Sequence, residues 1–251
     1  MTGASSGIGE ALARFYSSRG AVVGLLARRR EALDAIASSL RTTAETYAAD
    51  VTDFDAMRDA AHAFISAHGV PDIVVANAGI SRGTLTECAE DVPAFRKILE
   101  TNVLGLVNTF HPFVEPMRAR GRGRLAGIAS VAGFRGLPGS SAYSASKAAA
   151  IRYLEALRVE LRASGVKVVT ICPGYVATPM TARNPFRMPF LIGADEAARR
   201  FARIIDRGER YAIVPWPMAI VGRLLSLVPD ALYDRVAAKA GRKPRIDNMS
   251  P

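Results

Sequence analysis

The sequence predicts a three-layer α/β/α fold built on a parallel β-sheet. Three observations predict it. Short apolar runs alternate with segments of helical periodicity along the chain. The runs are continuously apolar, as strands covered on both faces must be, rather than alternating apolar with polar. The chain has 251 residues without internal repeats or low-complexity stretches, which suits one α/β domain spanning residues 1–251.

The elements follow in order. Residues 21–27 (AVVGLLA) are the first buried strand, followed by a helix over 31–40. A short strand over 46–49, a helix over 54–67 and a strand over 72–76 (DIVVA) come next. Residues 92–118 read as helix, broken near Pro112 and Pro116 because proline removes a backbone donor. A strand over 124–129 leads to a long Ala-rich helix over 142–164, stopped by Gly165. Residues 166–171 (VKVVTI) form the next strand, a loop with four prolines follows, and Asp195 caps a helix that leads to a strand over 211–214. Repeated strand–helix–strand units imply a doubly wound, Rossmann-like parallel sheet with helices on both faces.

Composition narrows the function. Apolar residues make up 49% of the chain, enough for a large core. The net charge of +10 is carried mostly by arginines spread along the chain among Asp and Glu. No basic run interleaves with aromatics, so nucleic acid is not the expected partner; a polyanionic small molecule is. Cys88 and Cys172 offer no disulfide framework, which reads as cytoplasmic. His62, His68 and His111 lack metal-ligand spacing, so no metal site is expected. The most apolar stretch, residues 211–228, is interrupted by Pro215, Pro217, Gly222 and Arg223, so no transmembrane segment is expected. The polar tail over 241–251 reads as disordered.

The chain opens on a glycine-rich turn, with Gly3, Ser5, Ser6, Gly7, Ile8 and Gly9 leading into a helical pattern. Glycines let the backbone approach a diphosphate, and the helix N-terminus behind them offers free N–H groups. Such a turn ordinarily follows a central strand, yet only Met1 and Thr2 precede Gly3. The expectation is that this first strand is missing from the sequence, leaving a gap between the strands at 21–27 and 72–76. At the end of the strand over 21–27 stand Arg28 and Arg29 with no acid. A carboxylate there would bind a ribose 2′-hydroxyl; an arginine fork binds a 2′-phosphate. The expected cofactor is therefore NADP(H), with Arg28 first and Arg29 second.

Further motifs follow in order: Asp50-Val51, Asn77-Ala78-Gly79, Asn102, Ser130, Tyr143-x-x-x-Lys147, and Pro173-Gly174 followed by Val176 and Thr178. Together with the glycine turn they resemble the short-chain dehydrogenase/reductase family in its compact single-domain form. The physics supports the likeness. Tyr143 and Lys147 are four apart on one helix and share a face. A tyrosine of reference pKa about 10 exchanges protons poorly near neutrality, and a neighbouring ammonium is expected to lower that value. Tyr143 then gives a proton to a carbonyl oxygen or takes one from an alcohol. Ser130 ends a strand and hydrogen-bonds the same oxygen. The resemblance further implies that Lys147 holds the nicotinamide ribose and that Asn102 helps hold a relay water. It sets Asp50 and Val51 against the adenine and Thr178 at the carboxamide. Asn77, Ala78, Gly79, Pro173, Gly174 and Val176 complete the cofactor-binding set.

The expected activity is hydride transfer between NADPH and a carbonyl or secondary alcohol, on a small-molecule substrate. The alternative is an NADPH-binding sensor or scaffold without turnover. Residues 175–195 read as the substrate loop, and apolar Met180, Phe186, Met188, Phe190 and Leu191 hint at an apolar substrate. Residues 211–240 form an apolar extension, expected to pack on a partner subunit of a homodimer or homotetramer or to rim the substrate site. Peripheral membrane contact is the runner-up, helped by Arg223, Arg235 and Lys239.

Overall fold

In chain order the elements are α1 (Gly7–Ser18), β1 (Val23–Ala27), α2 (Arg30–Ser38), β2 (Ala44–Ala48), α3 (Phe54–His68) and β3 (Ile73–Ala76). They continue with α4 (Val92–Leu99), α5 (Gly105–Arg120), β4 (Gly123–Ile128), α6 (Ser141–Glu160), β5 (Val166–Pro173), β6 (Val176–Ala177) and α7 (Pro179–Ala182). The last are β7 (Ile192–Gly193), α8 (Ala194–Arg207), β8 (Tyr211–Val214), α9 (Pro217–Leu227) and α10 (Asp230–Ala237). The structure, a computed structural model, describes residues 1–239, 241 and 243–245.

All strand pairs are parallel, and the main sheet runs β3-β4-β5-β8. The continuously apolar runs are covered on both faces, as expected. Val75, Ala126 and Val169 pack with Leu12 of α1 and Phe201 and Ile205 of α8. Their chain neighbours Val74, Leu125 and Val168 pack on the other side with Phe110 of α5 and Leu154 of α6. Successive strand residues point to opposite faces, so a strand between two helical layers is apolar at nearly every position, with Arg124 and the exposed Lys167 near the starts of β4 and β5. Each such fully buried large side chain contributes about 1.5–3 kcal/mol.

The sheet is interrupted where the sequence predicts trouble. The strands β1 and β2 form a separate two-stranded piece. Among the described residues, Met1 and Thr2 join it to the main sheet. Met1 O accepts from Leu26 N at 2.9 Å, and Thr2 N donates to Val75 O at 3.0 Å. The Met1 amino group donates to Gly24 O at 2.6 Å. Beyond this short tie lies a cavity of about 430 Å³, lined by Val23 and Gly24 on one side and Ile73 and Val74 on the other.

Two local expectations are corrected. The helix over 92–118 does not break at its prolines; α5 runs through Pro112 and Pro116. They lie four apart, so the lost hydrogen bonds fall on one helix face. The irregularity lies instead at Glu100–Leu104, a π-helical turn between α4 and α5. The tail is not wholly loose either. Residues 243–245 dock beside residues 81–91, while 246–251 lie outside the described residues. None of the described helices is long and apolar enough to cross a membrane.

Candidate active site

The strands β1, β3, β4 and β5 all end on one side of the sheet, and the motifs follow those ends: Arg28, Asn77, Ser130 and Gly174. This is where parallel α/β sheets gather ligands.

The glycine turn is locked into shape. Gly3 and Gly7 have φ of +63° and +59°, which side chains with a Cβ rarely adopt. A Cβ on Gly3 would lie 2.9 Å from Ala78 Cα, and one on Gly9 2.8 Å from Asn77 Nδ2. A Cβ on Gly7 would lie 3.1 Å from Thr178 Cγ2, so this turn and the segment after β5 face each other. Asn77 Nδ2 donates to Thr2 O (3.1 Å) and Gly3 O (3.3 Å). The Thr2 hydroxyl accepts from the amides of Asn77 and Ala78, both at 3.2 Å. Ser6, at the N-cap of α1, makes no side-chain cap bond. The first-turn amides of α1 therefore remain donors for an anion, which fits a diphosphate.

The arginines after β1 divide their work. Arg29 donates to Ser5 O at 3.2 Å and Ser5 Oγ at 3.0 Å, which ties it to the glycine turn. Arg28 is more loosely held, 3.9 Å from the Asp50 carboxylate. Both are exposed, and Val51 beside Asp50 is buried against Gly105 of α5.

The catalytic candidates meet on α6. Lys147 is buried; its Nζ donates to Ile128 O at 2.8 Å and lies 5.8 Å from the Tyr143 ring centroid. Ser130, just after β4, is the side-chain neighbour that acts on the Tyr143 phenol. Gly133 makes this contact feasible, because a Cβ there would lie 2.7 Å from the Lys147 carbonyl carbon. Asn102 lies in the π-helical turn, buried, and its amide serves Ile80: Oδ1 accepts from Ile80 N at 2.8 Å and Nδ2 donates to Ile80 O at 3.0 Å. Nδ2 also donates to Ser146 Oγ at 2.9 Å. A Cβ on Gly79 would sit 3.2 Å from Asn102 Oδ1 and 3.6 Å from Lys147 Nζ, so a side chain here would crowd Asn102.

One electrostatic expectation is corrected. Lys147 was to lower the Tyr143 pKa. In the protein alone, burial pushes the phenol up, while the Ser130 hydrogen bond pulls it down. Burial also pushes Lys147 down to about 8, because the ammonium is itself poorly solvated.

The remaining predicted residues frame the site. Gly174 N donates to Val214 O at 2.8 Å, and a Cβ there would lie 2.7 Å from Met218 Cγ of α9. Val176 is buried and pairs with Ile192. Gly222 of α9 packs on Phe134, so the C-terminal extension borders the loop after Ser130. Of the apolar substrate-loop residues, Met180, Phe190 and Leu191 are exposed, whereas Phe186 packs edge-on against Tyr175. The sequence reading missed Thr2 and Gly133. Thr2 had a signal, as the residue opening the glycine turn; Gly133 had none at sequence level. A larger apolar pocket of about 620 Å³, near Phe95, Leu99 and Val103, lies apart from these motifs.

Comparison with known proteins agrees with this geometry. Residues 1–187 match the family model for the short chain dehydrogenase. An uncharacterised oxidoreductase from Myxococcus xanthus is 40% identical over 242 residues, covering 95% of each chain. The cis-4-hydroxycyclohexanecarboxylate dehydrogenase of Sinomonas cyclohexanicum is 32% identical over 232 residues, 90% of this chain and 93% of that one. Among solved structures, a short-chain dehydrogenase from Sphingobium yanoikuyae in complex with NADPH aligns over 100% of this chain and 96% of its own. Its TM-score is 0.78 at 25% identity. With the glycine turn, the strand-end motifs and the matched model in agreement, this chain is an oxidoreductase of the short-chain dehydrogenase/reductase family.

Proposed function

We propose that the protein interconverts a carbonyl and a secondary alcohol, with NADP(H) preferred over NAD(H). The observation that carries this reading is the meeting of Ser130, Tyr143 and Lys147 beside the glycine turn. The turn from Gly3 to Gly9 would hold the diphosphate, and Asp50 and Val51 the adenine. Arg28 and Arg29 would grip the 2′-phosphate, and the absence of an acid at the end of β1 supports that choice. Asn77 to Gly79, Lys147 and the segment from Pro173 to Thr178 would hold the nicotinamide end.

When bound, the reduced cofactor supplies a hydride to the carbonyl carbon. This chain supplies the rest. Tyr143 passes its proton to the carbonyl oxygen, and Ser130 donates a hydrogen bond to the same oxygen as charge develops on it. The Lys147 ammonium opposes the charge left on the phenolate. In the reverse direction Tyr143 takes the alcohol proton. Asn102 acts one step removed, by fixing Ile80 and the start of the loop over the site.

The test is a panel of ketones with NADPH, including the keto acid corresponding to cis-4-hydroxycyclohexanecarboxylate, run beside Tyr143→Phe. The variant should lose about two to four orders of magnitude in kcat, the usual weight of positioned acid–base catalysis, and still bind NADPH. Near-normal turnover by Tyr143→Phe would overturn the assignment.

A further inference from the structure

The C-terminal strap carries a cation into the site. Gly83 N donates to Pro244 O at 3.0 Å, and Arg82 Nε donates to Arg245 O at 2.5 Å. Arg245 is pinned by Asp91 Oδ2 (2.8 Å) and Glu90 Oε1 (2.9 Å). These bonds hold Lys243 in place. Its Nζ donates to Ser81 Oγ at 2.6 Å and lies 5.3 Å from the Tyr143 ring centroid. The nearby acids Glu90 and Asp91 are engaged by Arg245, and no carboxylate is paired with Lys243 among the described residues.

We propose that Lys243 binds a carboxylate on the substrate, so that the protein acts on a small oxo or hydroxy acid whose carbonyl lies at Tyr143. This deepens the proposed function and rests on its assignment of Tyr143 as the group that meets the reacting oxygen. The chemistry follows from the inventory. An ammonium has three donors, and one is used on Ser81. A half-buried cation held beside the reacting group, without an acid to neutralise it, is a binding site for an anion. A single ammonium and a hydroxyl suit a monoanion; a phosphate dianion calls for more positive charge than this.

The experiment uses the full chain with saturating NADPH and has two arms. In the first, cyclohexanecarboxylate is titrated by calorimetry into wild type, Lys243→Met, Lys243→Gln and Lys243→Arg. In the second, kcat/KM is compared for 4-oxocyclohexanecarboxylate and its methyl ester. Binding should weaken about 10- to 100-fold in the Met and Gln variants, the weight of one charge-assisted hydrogen bond, and largely return in the Arg variant. The preference for the acid over the ester should fall by the same factor, through KM. Inorganic phosphate at equal concentration should not compete. Equal binding of the carboxylate by wild type and both neutral variants, or no binding by wild type, overturns the proposal. Carboxylate binding that depends on Lys243, with no ketone of the panel reduced, leaves the anion site standing and counts against the proposed function instead. Melting curves for each variant report folding, and two neutral replacements keep the reading if one fails to fold.

Discussion

Gly133→Ala tests whether the Ser130 loop must press against α6. An ordinary contact begins near 3.4 Å, and the new Cβ would lie 2.7 Å from the Lys147 carbonyl carbon and 2.8 Å from Ala148 N. Both are helix backbone atoms, which cannot swing aside. The loop must therefore retreat by about 0.7 Å, and Ser130, three residues earlier, moves with it. A hydroxyl pair at a usual spacing of about 2.8 Å would be stretched to the limit of a hydrogen bond. Displacing a catalytic group by about 1 Å costs up to roughly 100-fold in rate. Forcing one carbon into a packed contact costs about 1–3 kcal/mol. For a chain of this size each kcal/mol lowers Tm by about 2–4 °C. The three atoms nearest the new Cβ all belong to α6 and none to the glycine turn, so NADPH affinity should stay within about twofold. The assays are a melting curve, a fluorescence titration with NADPH and steady-state kinetics on the best ketone of the panel. A lowered Tm with unchanged kcat would show that Ser130 placement does not depend on this contact, and the reasoning would fail.

Two further outcomes follow from the same geometry. Arg29→Ala and Arg28→Ala should each weaken NADPH about 10- to 100-fold and NADH much less, because a charged hydrogen bond to phosphate is worth about 1.5–3 kcal/mol; equal weakening of both cofactors would remove the 2′-phosphate role. Asp91 is held below the usual carboxylate range by the Leu85 amide and by Arg245. Its depressed pKa contributes stability that is present above the ordinary carboxylate value and lost as pH falls through the folded-state value. Melting curves across the acid range should therefore be flatter for Asp91→Asn than for wild type, and parallel curves would refute the contribution.

The sequence carried the parts of this protein that local chemistry dictates. Strands covered on both faces have to be apolar nearly throughout, so β1, β3, β4 and β5 were legible as runs. The spacing of Tyr143 and Lys147 is a helix property; Gly3 and Gly7 of the first turn are required by positive φ, and Gly9 by the close approach of Asn77. What stayed hidden depends on long-range packing. Pro112 and Pro116 break a helix in isolation, but tertiary contacts carry α5 through both. Asn102 sits in a π-helical turn that no periodicity signals. The direction of the Tyr143 shift depends on how deeply α6 is covered, which the four-residue spacing does not encode. Lys243 lies in a polar stretch that composition reads as loose. Only the distant partners Ser81, Gly83 and Asp91 dock it.

The two lysines beside Tyr143 lead to a last prediction. Burial pushes both Lys147 and Lys243 down to about 8 from the usual 10.5. Among the described residues neither is paired with a carboxylate. Keeping an ammonium charged in such a place is costly, and both depressed values express that cost. Below about pH 8 the folded protein carries two poorly compensated cations; above it they lose their protons while the unfolded chain keeps them up to about 10.5. The folded state then binds fewer protons than the unfolded one, so these two groups add stability as pH rises from about 8 toward 10. A bound carboxylate supplies the missing countercharge, and a ligand of the native state stabilises it by mass action. Its benefit should therefore be largest where the lysines are charged. The measurement is the rise in Tm given by cyclohexanecarboxylate at pH 7 and at pH 9.5, in NADPH-loaded wild type and Lys243→Met. A rise that shrinks with pH in wild type and is small at both pH values in the variant is the expected result. A rise independent of pH in wild type would mean that the ammonium charge is not what holds the anion.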